Sequence, residues 1–302
     1  MITCLGLSPA LDISYGLPEV EVGRIHRPSW VVELPGGKSL NVARALAVLG
    51  QPVRAIAPLG GPVGQVMAEA LVAAGIEVEQ VPVSATRRCV SAFSQNDGSA
   101  TEFYEPALPL DDAAWQRLCT AVEHIDGGWL AVSGSVPADR VGPLADVVAA
   151  ASARGVRVAL DVHGPALAAV LAAAPIAVVK VNRAEAVDLL GDGPAAALAG
   201  GLRRAGAGLA VVTDGATGAV ALGEDGGALW ATPGEPGRYA VGSGDCFLAG
   251  LLAELCAGGE LRAALALATA AAAANTRVPG AARFTRADVD RALRQVDIRS
   301  EA

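Results

Sequence analysis

Short apolar runs along the chain alternate with longer segments in which apolar residues recur every three or four positions. The short runs have the length of strands, and the longer segments have the period of helices that bury one face. This alternation is typical of βαβ units, which build a mostly parallel sheet with helices on both faces. Five strands stand out, and we expect a helix after each: Ala55 to Leu59, Trp129 to Ser133, Arg157 to Asp161, Ala177 to Val181 and Leu209 to Thr213. The pattern therefore predicts one α/β domain over residues 1–302.

Two segments depart from this alternation, at about residues 13–34 and 87–104. In both, β-type residues pass through turn signals such as Asn96-Asp97-Gly98 without a helical segment between them. Because each segment leaves the α/β core and returns to it, we expect the two to pack together as a small β-sheet lid.

Composition narrows the class of protein. Hydrophobic residues make up 52% of the chain and aromatic residues only 4%, so the core must be built from Ala, Val and Leu. A formal charge of -8 gives no general attraction to nucleic acid or to anionic lipid, and the apolar segment 261–274 is too short to cross a bilayer. Five scattered cysteines without a CxxC pair favour reduced thiols in the cytoplasm. We expect a small-molecule partner, with no nucleic acid and no membrane.

The sharpest chemical signal is Gly242-Ser243-Gly244-Asp245, which directly precedes a helical run. Glycines allow successive backbone N–H groups to turn toward one point, and a helix N-terminus adds positive potential there, so the segment is suited to an oligophosphate. An anion site alone does not explain the aspartate. The alternative is that Asp245 is an ordinary N-cap.

A second signal is the segment from Pro35 to Ala43, which opens a helix. Gly36 and Gly37 permit close approach of a ligand to the backbone, Lys38 supplies a cation, and Asn41 offers a donor and an acceptor to sugar hydroxyls. The spacing is not that of a Walker A loop, and an ordinary helix-opening turn is the alternative.

Taken together and in this order, the motifs resemble those of the ribokinase-like, or phosphofructokinase B, family of carbohydrate kinases. The resemblance covers nearly the whole chain and points to the branch of 1-phosphofructokinase and tagatose-6-phosphate kinase. It implies a ribokinase-like three-layer α/β/α core with a small β-sheet lid. The other motifs that carry it are Ser8 to Asp12, Thr86-Arg87, Thr101 to Phe103, Ser133 to Pro137, Lys180 to Glu185 and Thr213 to Gly218.

The resemblance implies ATP as phosphoryl donor and Mg²⁺ as cofactor. Asp245 would take the proton from the acceptor hydroxyl, while Gly242, Ser243 and Gly244 would stabilise charge on the transferring phosphoryl group. Asn182 and Glu185 would orient magnesium through water, although the two could instead form a capping box, and both readings can hold. The residues implied in nucleotide binding are Lys180, Asn182, Thr213, Gly215, Gly218 and Asn275.

On the acceptor side, the resemblance implies that Asp12 accepts hydrogen bonds from sugar hydroxyls. Arg87 and Lys38 resemble the cations that mark kinases of sugar phosphates, since a bidentate arginine is well fitted to a phosphate, and Ser135 would donate to the same group. The remaining implied acceptor-site residues are Gly36, Gly37 and Asn41. The resemblance also implies a homodimer that pairs through the lid.

Some positions differ from the 1-phosphofructokinase pattern: Ser8 stands in place of Asn, Ser39 of Gly, Cys89 of Asn and Val181 of Pro. They leave the sugar open among fructose 1-phosphate, fructose 6-phosphate and tagatose 6-phosphate. Tyr239-Ala240 stands where Ser-Thr or Asp-Thr would precede the glycine loop, so no potassium site is predicted. The alternatives are a kinase of an unphosphorylated sugar or nucleoside, and a non-catalytic sensor on the same fold.

Overall fold

The computed structural model describes residues 1–235 and 237–300. In this part of the chain, the strands in chain order are β1 (Ile2–Leu5), β2 (Ala10–Leu17), β3 (Trp30–Gly36), β4 (Val53–Leu59), β5 (Glu77–Pro82), β6 (Arg87–Ser94), β7 (Ala100–Tyr104), β8 (Trp129–Ser133), β9 (Arg157–Asp161), β10 (Ile176–Asn182), β11 (Ala207–Thr213), β12 (Ala219–Leu222), β13 (Ala228–Thr232) and β14 (Asp297–Ser300). The helices are α1 (Lys38–Val48), α2 (Gly61–Ala73), α3 (Asp112–Glu123), α4 (Val141–Ala153), α5 (Gly164–Ala173), α6 (Arg183–Leu190), α7 (Ala195–Arg204), α8 (Ser243–Cys256), α9 (Leu261–Asn275) and α10 (Arg286–Leu293).

The central sheet has the strand order β14-β13-β12-β11-β10-β9-β8-β1-β4-β5. The strands from β11 to β5 in this order are mutually parallel, whereas β12, β13 and β14 are antiparallel. Successive residues of a strand face opposite sides, so Trp129 and Ala131 join one hydrophobic cluster while Leu130 and Val132 join the other. Helices α1, α2, α8, α9 and α10 cover the first face, and α3 to α7 cover the second. The predicted three-layer α/β architecture is confirmed.

Small residues let the helices of the first face approach closely. Helix α9 is largely alanine and is buried along most of its length. A Cβ added to Gly250 of α8 would lie 2.7 Å from the Cα of Ala268 in α9. The alanine-rich, aromatic-poor composition therefore fits a core in which backbones pack nearly in contact.

The lid is a separate four-stranded sheet with the order β3-β2-β6-β7. Strand β2 pairs in parallel with β6 and antiparallel with β3, and β7 returns antiparallel to β6. The lid sheet predicted from the segments near 13–34 and 87–104 is present in the structure.

One predicted connection is wrong, namely the helix expected after Leu209 to Thr213. Strand β11 is followed by a 3₁₀ turn, Gly215–Thr217, and then by the antiparallel strand β12. The Asp214 N–H donates to the Gly218 carbonyl at 2.8 Å, which closes the turn. Gly218 has φ of 112°, and a Cβ there would lie 1.9 Å from the Ala231 carbonyl oxygen, so the chain reverses into a hairpin at this glycine.

In the described residues no helix has the length and apolar character needed to cross a membrane. The parallel strands instead bring polar residues to one edge of the sheet. Ser133, Asp161, Asn182 and Thr213 each end a strand of the parallel region, and the chain after β1 reaches the same edge at Ser8. The carboxyl edge of such a sheet is where ligand sites usually form.

Candidate active site

A cavity of about 760 Å³ lies at this carboxyl edge, between the sheet and the lid. All the predicted site residues except Gly36, Glu185 and Asn275 line it. Those that line it are Asp12, Gly37, Lys38, Asn41, Arg87, Ser135, Lys180, Asn182, Thr213, Gly215, Gly218, Gly242, Ser243, Gly244 and Asp245. Residues more than 200 positions apart in sequence therefore meet in one site.

The glycine loop begins helix α8. Gly242 is the N-cap, with a left-handed φ of 78°, and Asp245 is the third residue of the helix rather than its cap. The N-cap alternative for Asp245 is therefore wrong. The first turn of a helix leaves N–H groups without intrahelical acceptors, and these groups are directed at the cavity end of α8. The site thus has the backbone donors and the helix dipole that an anion requires.

Asn275 supports this loop from beneath. Its side chain is fully buried, and its Nδ2 donates to the Val241 carbonyl at 2.8 Å and to Ser243 Oγ at 3.1 Å. Its Oδ1 accepts from the Ala282 N–H at 2.8 Å. Asn275 was predicted to bind nucleotide, but its contacts show that it holds the loop that lines the cavity.

Asp161 connects two lysines at the floor of the site. Its Oδ2 accepts from Lys180 Nζ at 2.7 Å, and its Oδ1 accepts from Lys38 Nζ at 3.1 Å. Burial alone would raise the pKa of the Asp161 carboxyl, but the charges of Lys180 and Lys38 hold that pKa below its ordinary value. Asp161 was not predicted as a site residue, and its position at the end of a predicted strand is the signal that could have located it.

Lys38 contacts a second carboxylate, because its Nζ lies 3.4 Å from Glu185 Oε1. Burial opposes the charge on Lys38, but Asp161, Glu185 and Asp245 together raise the pKa of its ammonium group. A Cβ added to Gly244 would lie 2.8 Å from Lys180 Nζ, so that glycine leaves room for the second ammonium group. Lys38 is therefore positively charged, and Lys180 lies next to the glycine loop.

Asn182 and Glu185 form a capping box at the start of α6. Asn182 Oδ1 accepts from the Glu185 N–H at 2.8 Å, and Glu185 Oε2 accepts from the Asn182 N–H at 2.9 Å. The capping-box reading is confirmed. Among the described residues, no group of three or more His, Cys, Asp or Glu side chains is arranged to hold a metal directly. The oxygen-rich pair suits outer contact with a hydrated Mg²⁺ bound to phosphates, since Mg²⁺ commonly keeps several waters.

Asp245 is buried among charges of both signs. Burial, reinforced by the nearby charge of Asp161, raises the pKa of Asp245 to about 7, while Lys180, Lys38 and a hydrogen bond from Asn41 oppose this rise. Asn41 Nδ2 donates to Asp245 Oδ2 at 2.8 Å. The Asp245 carboxyl can therefore exchange a proton near neutral pH.

The lid supplies the other end of the cavity. Burial raises the pKa of Asp12 on β2 to about 6, although a backbone hydrogen bond from Gly37 and the charges of Arg44 and Arg87 lower it. A Cβ at Gly36 would lie 1.9 Å from Asp12 Oδ2, so Gly36 makes room for this carboxylate without lining the cavity itself. Gly36 therefore contributes to the site through the space that it leaves for Asp12.

Arg87 lies on β6 beside Asp12. Its Nη1 donates to the Glu105 carbonyl at 3.0 Å and its Nη2 to the Ser8 carbonyl at 3.3 Å. Its Nε is buried and has no hydrogen-bond partner in the described residues, and the same holds for Ser8 Oγ, Asn41 Oδ1 and Ser133 Oγ. These four atoms belong to residues that line the cavity. Unpaired buried polar groups are rare, so the cavity is suited to a ligand with many polar groups.

A mostly parallel α/β sheet, a β lid, a glycine-capped helix and a buried aspartate thus meet around one cavity. Residues 3–287 match the family described as pfkB family carbohydrate kinase, and the chain belongs to that family.

Known relatives agree with this assignment. The chain is 33% identical over 188 residues to ATP-dependent 6-phosphofructokinase isozyme 2 of Escherichia coli strain K12, a match that spans 61% of this chain and 60% of that one. Phosphofructokinase-2 from Escherichia coli, solved in complex with substrates and products, superposes with a TM-score of 0.89 at 27% identity, over 97% of this chain and 98% of that one. A carbohydrate kinase from Agrobacterium tumefaciens superposes with a TM-score of 0.74 at 25% identity, over 99% of both chains.

Because Asp245 is buried, its ionisation should lower the free energy of unfolding, and this effect should depend on pH. Its folded-state pKa of about 7 lies above the ordinary 3.8, so the folded protein binds this proton more tightly than the unfolded chain does. Stability should fall as the pH rises from about 4 to 7. The stability of Asp245→Asn relative to wild type should therefore increase by about 2 to 4 kcal/mol between pH 5 and pH 8.5.

Urea unfolding at the two pH values measures this difference. Asp146→Asn, on the exposed side of α4, controls for the loss of one negative charge. If the free energy of unfolding of Asp245→Asn exceeded that of wild type no more at pH 8.5 than at pH 5, folding would not raise the pKa of Asp245.

Proposed function

We propose that the chain is an ATP-dependent kinase that phosphorylates a hydroxyl of a hexose phosphate and yields a bisphosphate. The candidate acceptors are fructose 1-phosphate, fructose 6-phosphate and tagatose 6-phosphate, and the resemblance of Ser8 to Asp12 to the opening motif of the 1-phosphofructokinase branch favours that branch. The observation that carries the proposal is the position of Asp245. It lies in one cavity with Lys38, Lys180 and the N-terminus of α8, which suit the phosphates of ATP. Asp12 and Arg87 of the lid line the same cavity and suit the sugar.

Asp245 is the proposed base. Its carboxylate accepts the proton of the acceptor hydroxyl as the hydroxyl oxygen forms a bond to the γ-phosphorus of ATP, and the bond from that phosphorus to the bridging oxygen of ADP breaks. A base with a pKa near the working pH combines a sufficient ionised fraction with a useful driving force. Burial of Asp245 provides such a pKa.

The phosphoryl group is proposed to be stabilised by charge rather than by covalent chemistry. The N–H groups at Gly242 to Gly244 and the dipole of α8 are fixed in place before the reaction. The contacts of Lys38 with Asp161 and Glu185 support a position for its ammonium group beside the transferred phosphoryl. We therefore propose that Arg87 and Ser135 bind the phosphate already on the sugar. Lys38 instead contacts the phosphoryl group that is transferred.

The nucleotide is proposed to bind over the turn that contains Thr213, Gly215 and Gly218, against the C-terminal half of α9. A magnesium ion on the nucleotide phosphates would neutralise part of their charge, and Asn182 and Glu185 would contact it through water. Both residues are held by their capping box, so their oxygens keep fixed positions.

We propose that the acceptor sugar already carries a phosphate group. The lid contributes a cation, Arg87, whose hydrogen-bonding capacity is only partly satisfied within the protein. The guanidinium of Arg87 donates to two backbone carbonyls and retains a buried Nε without a partner in the described residues. In a protein of charge -8, such a group lowers the cost of bringing a dianion into the cavity. The relative from Escherichia coli has been solved in complex with fructose-6-phosphate.

Replacement of Arg87 by Ala tests the class of acceptor. A charge-assisted contact contributes about 1.5 to 3 kcal/mol, so the KM for the accepted hexose phosphate should rise roughly tenfold to a hundredfold. The KM for ATP should hardly change. Release of ADP, followed in a coupled assay over a panel of neutral and phosphorylated sugars, measures both constants.

Arg88→Ala is the matched control, because Arg88 is the next residue of β6 and is exposed outside the cavity. The proposal fails if the wild-type enzyme phosphorylates a neutral hexose or nucleoside, rejects every hexose phosphate and is indifferent to Arg87→Ala.

We further propose that two copies associate through the lid. Five of the twelve exposed large hydrophobic residues lie in the lid segments, namely Val22, Ile25, Val31, Phe103 and Tyr104. Strand β7 is exposed at every position and forms one edge of the lid sheet. An open sheet edge with apolar side chains is a liability unless it is covered, and a symmetric dimer would cover it. One relative has been described in a tetrameric inhibited form.

Phe103→Asp tests this association. A charge on the exposed edge strand should shift a wild-type dimer to monomers in sedimentation experiments at micromolar concentration, because it would be buried without a partner. Val72→Asp, which changes an exposed apolar residue of α2, should leave the dimer intact. A wild-type protein that sediments as a fully active monomer would contradict the proposal.

A cytoplasmic location is proposed as well. All five cysteines are free thiols, and three of them are buried. This state suits a reducing compartment.

A further inference from the structure

The proposed base, Asp245, accepts a hydrogen bond from the neutral side chain of Asn41. Helices α1 and α8 begin side by side, each after a glycine with a left-handed φ, 83° at Gly37 and 78° at Gly242. Asn41 lies on the second turn of α1 and Asp245 on the first turn of α8, and both side chains are buried. The two meet at 2.8 Å, between Asn41 Nδ2 and Asp245 Oδ2.

The donor in this contact favours one protonation state of Asp245. An ionised carboxylate only accepts hydrogen bonds, and the NH₂ group of an amide only donates. The contact is therefore satisfied when Asp245 is ionised. A protonated Asp245 whose O–H pointed at Asn41 Nδ2 would lose the bond, and leaving a buried donor without an acceptor is unfavourable.

The other groups that face Asp245 are all charged. Asp161 of β9 opposes ionisation of Asp245, while Lys180 of β10 and Lys38 of α1 favour it. Lys180 pairs with Asp161, and Lys38 pairs with both Asp161 and Glu185, so these two carboxylates balance the charges of the two lysines. Asn41 is the neutral group in this set, and its bond to Asp245 is shared with no other carboxylate of the described residues.

Asn41 also has an unused acceptor. Its Oδ1 is buried and lacks a hydrogen-bond partner among the described residues, although Asn41 lines the cavity. The amide therefore presents Nδ2 to the base and leaves its carbonyl oxygen for a ligand hydroxyl. A single side chain could in this way align the base with the hydroxyl from which it takes the proton.

We infer that Asn41 is a positioning residue that keeps Asp245 ionised and fixes the direction of its carboxylate, in addition to contacting the acceptor. This inference rests on the proposed role of Asp245 as base in a kinase. It differs from a simple sugar-binding role because it requires that Asn41 act on the proton transfer itself.

The test is the pH dependence of kcat in Asn41→Leu, which removes both polar atoms of the amide at similar size. Loss of a hydrogen bond to the charged form should move the acid limb of the profile to higher pH, by about one to two units. At a pH above the shifted limb, kcat should recover the part of its loss that comes from protonation of Asp245, and the part that comes from lost alignment should remain. Ser133→Ala, which removes another unpartnered polar group from the cavity wall, should leave the limb in place.

A readout without turnover separates this inference from the proposed function. Infrared difference spectra between Asp245→Asn and the parent protein isolate the Asp245 carboxyl, and its midpoint of protonation should rise by the same amount in Asn41→Leu. Should that variant not fold, Asn41→Asp preserves size and polarity, and the second carboxylate should raise the midpoint further.

An unchanged midpoint and an unchanged acid limb, together with a raised KM for the acceptor, would overturn the inference and leave Asn41 as a sugar contact alone. A wild-type protein that shows no turnover with any sugar in the panel would instead refute the kinase function. In that case the infrared midpoint would still decide whether Asn41 controls the ionisation of Asp245.

Discussion

Two carboxylates, Asp161 and Asp245, are buried within reach of the same two ammonium groups, Lys38 and Lys180. Burial of any one of these charges alone would be strongly unfavourable, and only the set makes the arrangement stable. Asp161 bonds both lysines directly and stays ionised. Among the described residues, no lysine forms a direct ion pair with Asp245, and burial raises the pKa of Asp245 to about 7. Because of this difference in lysine contacts, Asp161 keeps its negative charge, while Asp245 can bind and release a proton near neutral pH.

The fold brings this set together through the edge of a parallel sheet. Asp161 ends β9, Lys180 lies near the end of β10, and Asp245 belongs to a helix that begins above the same edge. Close helix packing through Gly250 and the alanines of α9 brings α8 near the sheet, and Asn275 fixes the loop before it. The packing of small residues between α8 and α9 therefore helps to determine where the base lies.

Much of this architecture could be predicted from local patterns. Strand periodicity located β8 and β9 at their observed bounds, and turn signals identified the lid. The hairpin after β11 was missed because Gly218 and its contact with Ala231 are tertiary features. Asp161 was missed for a related reason, since its partner Lys38 is 123 residues away and a strand-ending aspartate has no local signature. Asn275 likewise holds the glycine loop through Val241 and Ser243, which lie 34 and 32 residues away, and no local pattern indicates these contacts.

The central claim is that Asp245 acts as the base of a phosphoryl transfer. Single-turnover measurements with Asp245→Asn and ATP, in the presence of the hexose phosphate that wild type accepts, address it most directly, with ATP affinity measured separately. The amide keeps the shape of the side chain but cannot accept the proton. The account predicts unchanged ATP binding and a rate of transfer lower by about 10² to 10⁴. A rate close to that of wild type, with ATP bound normally, would contradict it.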